Sequence, residues 1–97
     1  MITAIVLVHV EATRIPEVAE AIAALDGVSE VYSVTGGADL IAMVRVREHD
    51  ALADVIADRL SKVEGVRATE THIAFRTYSR HDLDAAFSLG YDGADGV

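Results

Sequence analysis

Thr35-Gly36-Gly37-Ala38-Asp39-Leu40 separates two runs of alternating apolar residues, Val28 to Val34 before it and Leu40 to Val46 after it. A Gly-Gly pair between two such runs predicts a hairpin, because glycine enters positive φ without steric cost. The turn has a second capacity. Two consecutive N–H groups can converge into a small anion-binding concavity, and Asp39 sets a carboxylate beside them. Donors next to a carboxylate complement a zwitterion, which presents a carboxylate of its own and an ammonium; a free amino acid has that form. An ordinary hairpin needs the same glycines, and an Asp beside a turn is commonly just solvated, so these residues alone leave both readings open.

Outward from the turn, Ile2 to Val10 is nearly continuous and β-branched, which predicts a central strand buried on both faces. Thr13 is placed to cap a helix with Pro16 and Glu17 in its first turn, and Ile15, Val18, Ala19, Ile22 and Leu25 form its apolar stripe. Asp26-Gly27 stops that helix. Val28 to Val34 is half polar and suits an edge strand, whereas Leu40 to Val46 is apolar until it meets water at Arg45, Arg47 and Glu48. A second helix from His49 or Asp50 carries the stripe Leu52, Val55, Ile56, Leu60 and Val63 and closes at Glu64-Gly65. Val66 to Tyr78 reads as a long last strand, with Thr69, Thr71, Ile73, Phe75 and Thr77 on one parity and Ala68, Glu70, His72, Ala74 and Arg76 on the other. Residues 1–80 then make one domain. Residues 81–97 are expected to be an extension, one or two helical turns followed by a frayed tail rich in Gly and Asp.

The order βαββαβ contains a repeat. At an offset of 38, Ala4, Val6 and Val8 fall on Ala42, Val44 and Val46, and Gly27-Val28 falls on Gly65-Val66. Two β-α-β units with right-handed crossovers, each leaving room for a strand between its own two, interleave into an antiparallel sheet with both helices on one face. The fold class is therefore α+β, a ferredoxin-like sandwich.

Composition narrows the function. The chain has 97 residues, 52% of them hydrophobic, and a mean hydropathy of +0.31. A domain of this size buries only about 60 to 65% of its unfolded surface, so surplus apolar area is most easily hidden by self-association. Both parities of the first and third strands are apolar. Ile5, Leu7, Ile41 and Met43, with Ile73 and Phe75 added from the last strand, would leave more than the roughly 400 Å² that monomers tolerate exposed. A homodimer packed sheet to sheet, resembling a two-sheet barrel, is the expected remedy. Eight basic residues against sixteen acidic ones, a net charge of −8 with no basic cluster, argue against direct nucleic-acid binding. Without Cys there is neither a thiolate nucleophile nor a Cys-ligated zinc. No basic leader and no apolar run near about 18 residues argue against a membrane and for a cytoplasmic protein. No cofactor is implied.

Taken in order, the βαββαβ pattern, the glycine-x-x-aspartate hairpin at residues 35–40, Val63-Glu64-Gly65-Val66 and Thr69-Glu70-Thr71 resemble the effector-binding domain of Lrp/AsnC regulators, often called the RAM domain, over about residues 2 to 80. The resemblance implies barrel-like dimers that assemble further, commonly into octamers, and amino acids bound in clefts where dimers meet. It assigns Thr35, Gly36, Gly37, Asp39 and Leu40 to that cleft, with Thr69 and Thr71 from the last strand. Family regulators carry a helix-turn-helix domain first. Here the first strand begins at residue 2, so a stand-alone sensor without its own DNA reader is expected, one able to join full-length relatives. Ala38 stands where many relatives have a bulkier residue, which leaves the ligand open.

Two other classes compete with the sensor. Small dimeric α+β barrels include cofactor-free enzymes, for which His9 or His72 would be the general base, but neither has an acid partner evident in the sequence. His9, His49, His72 and His81 also lack metal-ligand spacing. The other competitor is a structural partner in a hetero-oligomer, whose glycine turn is only a turn. Arg45 and Arg47 read as a solvated strand end, Tyr32 and Tyr78 as packing residues, and Arg76 and Arg80 as cations for acids of a neighbouring subunit.

Overall fold

The computed structural model describes residues 1–80 and the backbone of 91–92 and 94–95. Four strands, β1 (Ile2–Val10), β2 (Val28–Ser33), β3 (Leu40–Val46) and β4 (Val66–Ile73), form an antiparallel sheet in the order β2-β3-β1-β4. The two nearly continuous apolar runs hold the centre and the half-polar ones the edges, as their patterning requires. Helix α1 (Ile15–Ala23) and helix α2 (His49–Ala53) pack on one face of the sheet. The expected α+β ferredoxin-like arrangement is the one observed.

Register decides which face is which. Residues paired across an antiparallel ladder point to the same side, and Ala4, Val6 and Val8 pair with Val44, Ala42 and Leu40. All six are buried with Val10 and Val46 beneath Val18 and Ile22 of α1 and Leu52, Val55 and Leu60 beyond β3. The opposite parity, Ile5, Leu7, Ile41 and Met43, is only half-buried and has no helix over it.

Ile73 does not join that open face. It pairs with Ala4, which places it on the helix-side parity, and His72 and Glu70 take the positions beside Ile5 and Leu7. The last strand is also shorter than the Val66–Tyr78 expected. Ala74 N–H still donates to the Thr3 carbonyl, but the register then reaches Ile2, where β1 ends, and Phe75 has no partner strand. Phe75 therefore stands 99% exposed past the sheet rather than within the patch.

Two helical details differ from expectation. Thr13 caps nothing: it lies in a 3₁₀ turn over Ala12–Arg14, and α1 starts at Ile15 with Arg14 in the cap position and Pro16 in its first turn. The second helix is not uniform either, because α2 widens into a π segment over Asp54–Arg59 and tightens into a 3₁₀ turn over Leu60–Lys62. In the wider turn residues five apart lie nearly above one another, which is how Val55 and Leu60 both reach the core.

The glycines closing the two helices mirror each other at the repeat offset. Gly27 and Gly65 have φ of +94° and +101°. A Cβ on Gly27 would meet Val55 of the other half, and one on Gly65 would lie 2.6 Å from Val18 Cγ2. Each half's turn thus tucks under the other half's helix.

Beyond residue 80 the described backbone consists of two short extended segments, Tyr91–Asp92 and Ala94–Asp95. The helical turns expected over 81–89, and the remainder of the tail, lie outside the described residues.

Candidate functional site

The glycine turn projects from the end of the sheet at which β1 finishes. Gly36 has φ +118°, and both Gly36 and Gly37 face open space. Their N–H groups form no hydrogen bond with the described residues. The base of the turn is fixed by Asp39, whose N–H donates to the Val8 carbonyl at 3.0 Å and whose carbonyl accepts from Val34 N–H at 3.1 Å.

The Asp39 carboxylate is partly committed to the fold. Past the last pair of the β1–β3 ladder, Val8 with Leu40, Val10 N–H donates to Asp39 Oδ2 at 2.8 Å. No local pattern signals this bond, since the two residues are 29 apart in sequence. The other carboxylate oxygen takes no partner among the described residues.

Not every residue assigned to the cleft converges on it within one chain. Leu40 has no exposed surface; its side chain belongs to the core, and only its backbone borders the turn. Thr69 and Thr71 lie on β4, paired with Val8 and Val6, so β1 separates them from the turn. Thr69 shares a cross-strand row with Leu40 at two strand spacings, roughly 10 Å. Within one chain, then, the turn and these threonines stand apart.

The open face has an apolar centre and a charged rim. Ile5, Leu7, Ile41 and Met43 run down the two central strands, with Glu30 and Tyr32 beside Met43 and Ile41 on one edge and Glu70 and His72 on the other. Arg45 Nη1 donates to Glu30 Oε1 at 2.9 Å, so Arg45 is a rim residue rather than merely a solvated strand end. His72 Nε2 lies 2.9 Å from Glu70 Oε2, giving this histidine the acid partner that the sequence did not reveal. The pair stays largely in water, with side chains 56% and 63% exposed on an open strand edge. His9 is half-buried on the same face opposite Ala68. Alternation along β2 and β4 carried the rim signal, but only the register could assign it to this face.

Charge at the rim leaves a measurable mark. The Arg45 hydrogen bond, and then that of Tyr32, hold the Glu30 carboxyl below the ordinary carboxylate value, and the same bond from Tyr32 to Glu30 raises the phenol. A carboxyl held low in the folded chain favours folding above its unfolded-state pKa and loses that contribution as pH falls through the folded one. Water screens a group this open, so the effect on stability is small. NMR titration should find the Glu30 midpoint below the ordinary Glu value and returning toward it in Arg45→Met; a midpoint indifferent to Arg45 would remove the pair from solution.

A separate cleft of about 200 Å³ lies at the other end of the sheet, lined by Asp26, Gly27, Val46, Ala51, Asp54, Val55 and Arg59. Its distance from the glycine turn follows from the register, which sets Val46 against Ile2 and Leu40 against Val8.

Residues 3–83 match the Lrp/AsnC ligand binding domain. The chain belongs to that family. Among its Lrp/AsnC relatives, a helix-turn-helix transcriptional regulator of Pyrococcus furiosus is 38% identical over 72 residues, covering 74% of this chain and 49% of the regulator. The chain thus spans about half the length of the curated relatives it matches. TTHA0845 from Thermus thermophilus superposes with a TM-score of 0.77 at 49% identity, covering 82% of this chain and all of that one. A feast or famine regulatory protein of M. tuberculosis, solved in complex with L-methionine, gives 0.63 at 28% identity, with coverage of 82% and 54%. No helix among the described residues is long and apolar enough to cross a membrane.

Proposed function

We propose that this Lrp/AsnC domain is an amino-acid-sensing module whose ligand binding is linked to its assembly, and that it is not an enzyme. The uncovered sheet face carries the reading. An apolar centre within a polar, ion-paired rim is the anatomy of a protein interface, and a second copy laid face to face buries Ile5, Leu7, Ile41 and Met43. In this assembly the effector sits where dimers meet. Gly36 and Gly37 N–H groups take its carboxylate, the unpartnered oxygen of Asp39 takes its ammonium, and Thr35, the Leu40 backbone, Thr69 and Thr71 line the remainder. Support for a shared site is the separation of the turn from the threonines across β1.

A ligand that bridges two dimers stabilises the assembly containing the cleft, and assembly raises ligand affinity by the same factor. The product is a homo-oligomer, an octamer or similar, acting in the cytoplasm on transcription or amino-acid metabolism, alone or joined to full-length helix-turn-helix relatives. The M. tuberculosis relative's complex makes L-methionine the first ligand to try. Calorimetric titration with it and then the other common amino acids, alongside sedimentation with and without ligand, tests the proposal. Silence from every amino acid, with mass unchanged, would overturn it.

Asp39 separates ligand binding from folding. Asp39→Asn keeps an acceptor for Val10 N–H and removes the charge, so the melting temperature should hold while amino-acid affinity falls about 10- to 100-fold, the loss of one charge-assisted hydrogen bond. Asp39→Ala strands the Val10 donor and should also cost about 1–3 kcal/mol of stability. Equal affinity for wild type and Asp39→Asn would make the carboxylate purely structural.

A further inference from the structure

The chain leaves β4 as an arm that does not match the body it leaves. Residues 74–80 contain two cations, Arg76 and Arg80, and no acid, in a protein of net charge −8. Phe75 and Tyr78 on this arm are 99% and 78% exposed. Two exposed aromatic rings alternating with two arginines make a surface enriched in the residue types that anchor protein interfaces.

The cleft at the same end of the sheet is complementary. Val46, Ala51 and Val55 give it an apolar floor, while two carboxylates, Asp26 and Asp54, outnumber the single guanidinium of Arg59. The carbonyl end of α1, which closes at Ala23 just before Asp26, adds partial negative charge. Gly27 keeps the floor open, since a Cβ there would approach Val55 Cγ2 to 2.8 Å. At about 200 Å³ the cleft is smaller than the roughly 300–1,000 Å³ of small-molecule sites and suits one side chain.

We propose that the arm of one copy docks in this cleft of a second copy, with Phe75 on the floor of Val46 and Val55 and Arg76 against Asp54 and Asp26. The arm does not occupy its own cleft, since Phe75 stands 99% exposed. Ala74 is tied to Thr3 on an edge strand, and β1 lies between it and the β3 strand that supplies Val46. Neither surface uses Ile5, Leu7, Ile41 or Met43, so the contact is independent of the sheet face. Arm into cleft is also head-to-tail, which propagates an assembly or closes it into a ring.

The chain has no cysteine, so single introduced thiols report cleanly. Mixing Arg76→Cys protein with Asp54→Cys protein under mild oxidation should give a covalent pair, whereas neither variant alone should cross-link. In sedimentation, Phe75→Ala should abolish the species that the contact creates. Arg76→Glu should weaken that step about ten-fold, and adding Asp54→Arg should restore it. Arg67→Glu, the same charge change at the start of β4, should have no effect. The proposal fails if the mixture stays uncross-linked, if a chain carrying both cysteines closes only on itself, if Phe75→Ala sediments like wild type, or if Arg67→Glu and Arg76→Glu behave alike.

Discussion

Gly65→Ala should destabilise this domain by about 3 kcal/mol. Two costs add at one atom. A φ of +101° lies outside the region that an L-residue occupies easily, which costs roughly 1–3 kcal/mol. The new methyl would also arrive 2.6 Å from Val18 Cγ2, and Val18 is buried under α1 against the sheet, so overpacking contributes another 1–3 kcal/mol or so. For a domain of this length the loss should lower the melting temperature on the order of 15 °C. Gly36→Ala separates the two terms: its φ is +118° but nothing lies near the added atom, so about 1 kcal/mol is expected from backbone strain alone. Calorimetry on both variants checks the account; equal losses would mean that Val18 yields freely.

Ile41→Lys should leave the fold intact and separate the protomers. Ile41 sits between Leu7 and Tyr32 in the middle of the open face and takes no part in the helix-side core, so within one chain the substitution is a surface change worth about 0.5 kcal/mol or less. In a face-to-face dimer it buries an unpaired ammonium from each copy. Even about 4 kcal/mol of penalty raises the dissociation constant roughly a thousand-fold. Sedimentation equilibrium should then read the monomer mass where wild type reads a dimer or more, with circular dichroism unchanged. A wild-type chain that is already monomeric when dilute, or an Ile41→Lys protein that still pairs, would refute the sheet-face interface.

Much of this architecture was legible in the residues. The run from Ile2 to Val10 and the run from Leu40 to Val46 read as buried strands because little in them is polar, and the stripe through Ile15, Val18, Ala19 and Ile22 reads as a helix, which ends at Ala23, short of the Leu25 expected on it. What patterning could not decide was which greasy side of those strands faces the helices, because Ala4-Val6-Val8 and Ile5-Leu7 are equally apolar. That depends on long-range register. The same register moved Ile73 to the helix side and put His72 and Glu70 on the open face. The π segment stayed invisible because Leu52, Val55, Ile56 and Leu60 satisfy an ordinary helix equally well.

The candidate site was legible at its tip and obscure at its base. Gly36 and Gly37 were expected in an exposed turn and are found in one. The bond from Val10 to Asp39 forms where the β1–β3 ladder has run out, between residues 29 apart in sequence, and leaves no local signature. Leu40, adjacent to Asp39, points into the core by alternation alone. Arg45 looked like a solvated end until Glu30 was found opposite it.

The strand order β2-β3-β1-β4 has a kinetic meaning. Every ladder of the four-stranded sheet joins one β-α-β half to the other: β1 touches only β3 and β4, β2 touches only β3, and no two strands of a single half are neighbours. Neither half can form a strand ladder by itself. Synthesis of the first half should leave an open chain waiting for residues beyond 40, and the search that follows must close long loops before any strand finds its mate. Peptides cut at the glycine turn should accordingly be shapeless apart and fold on mixing.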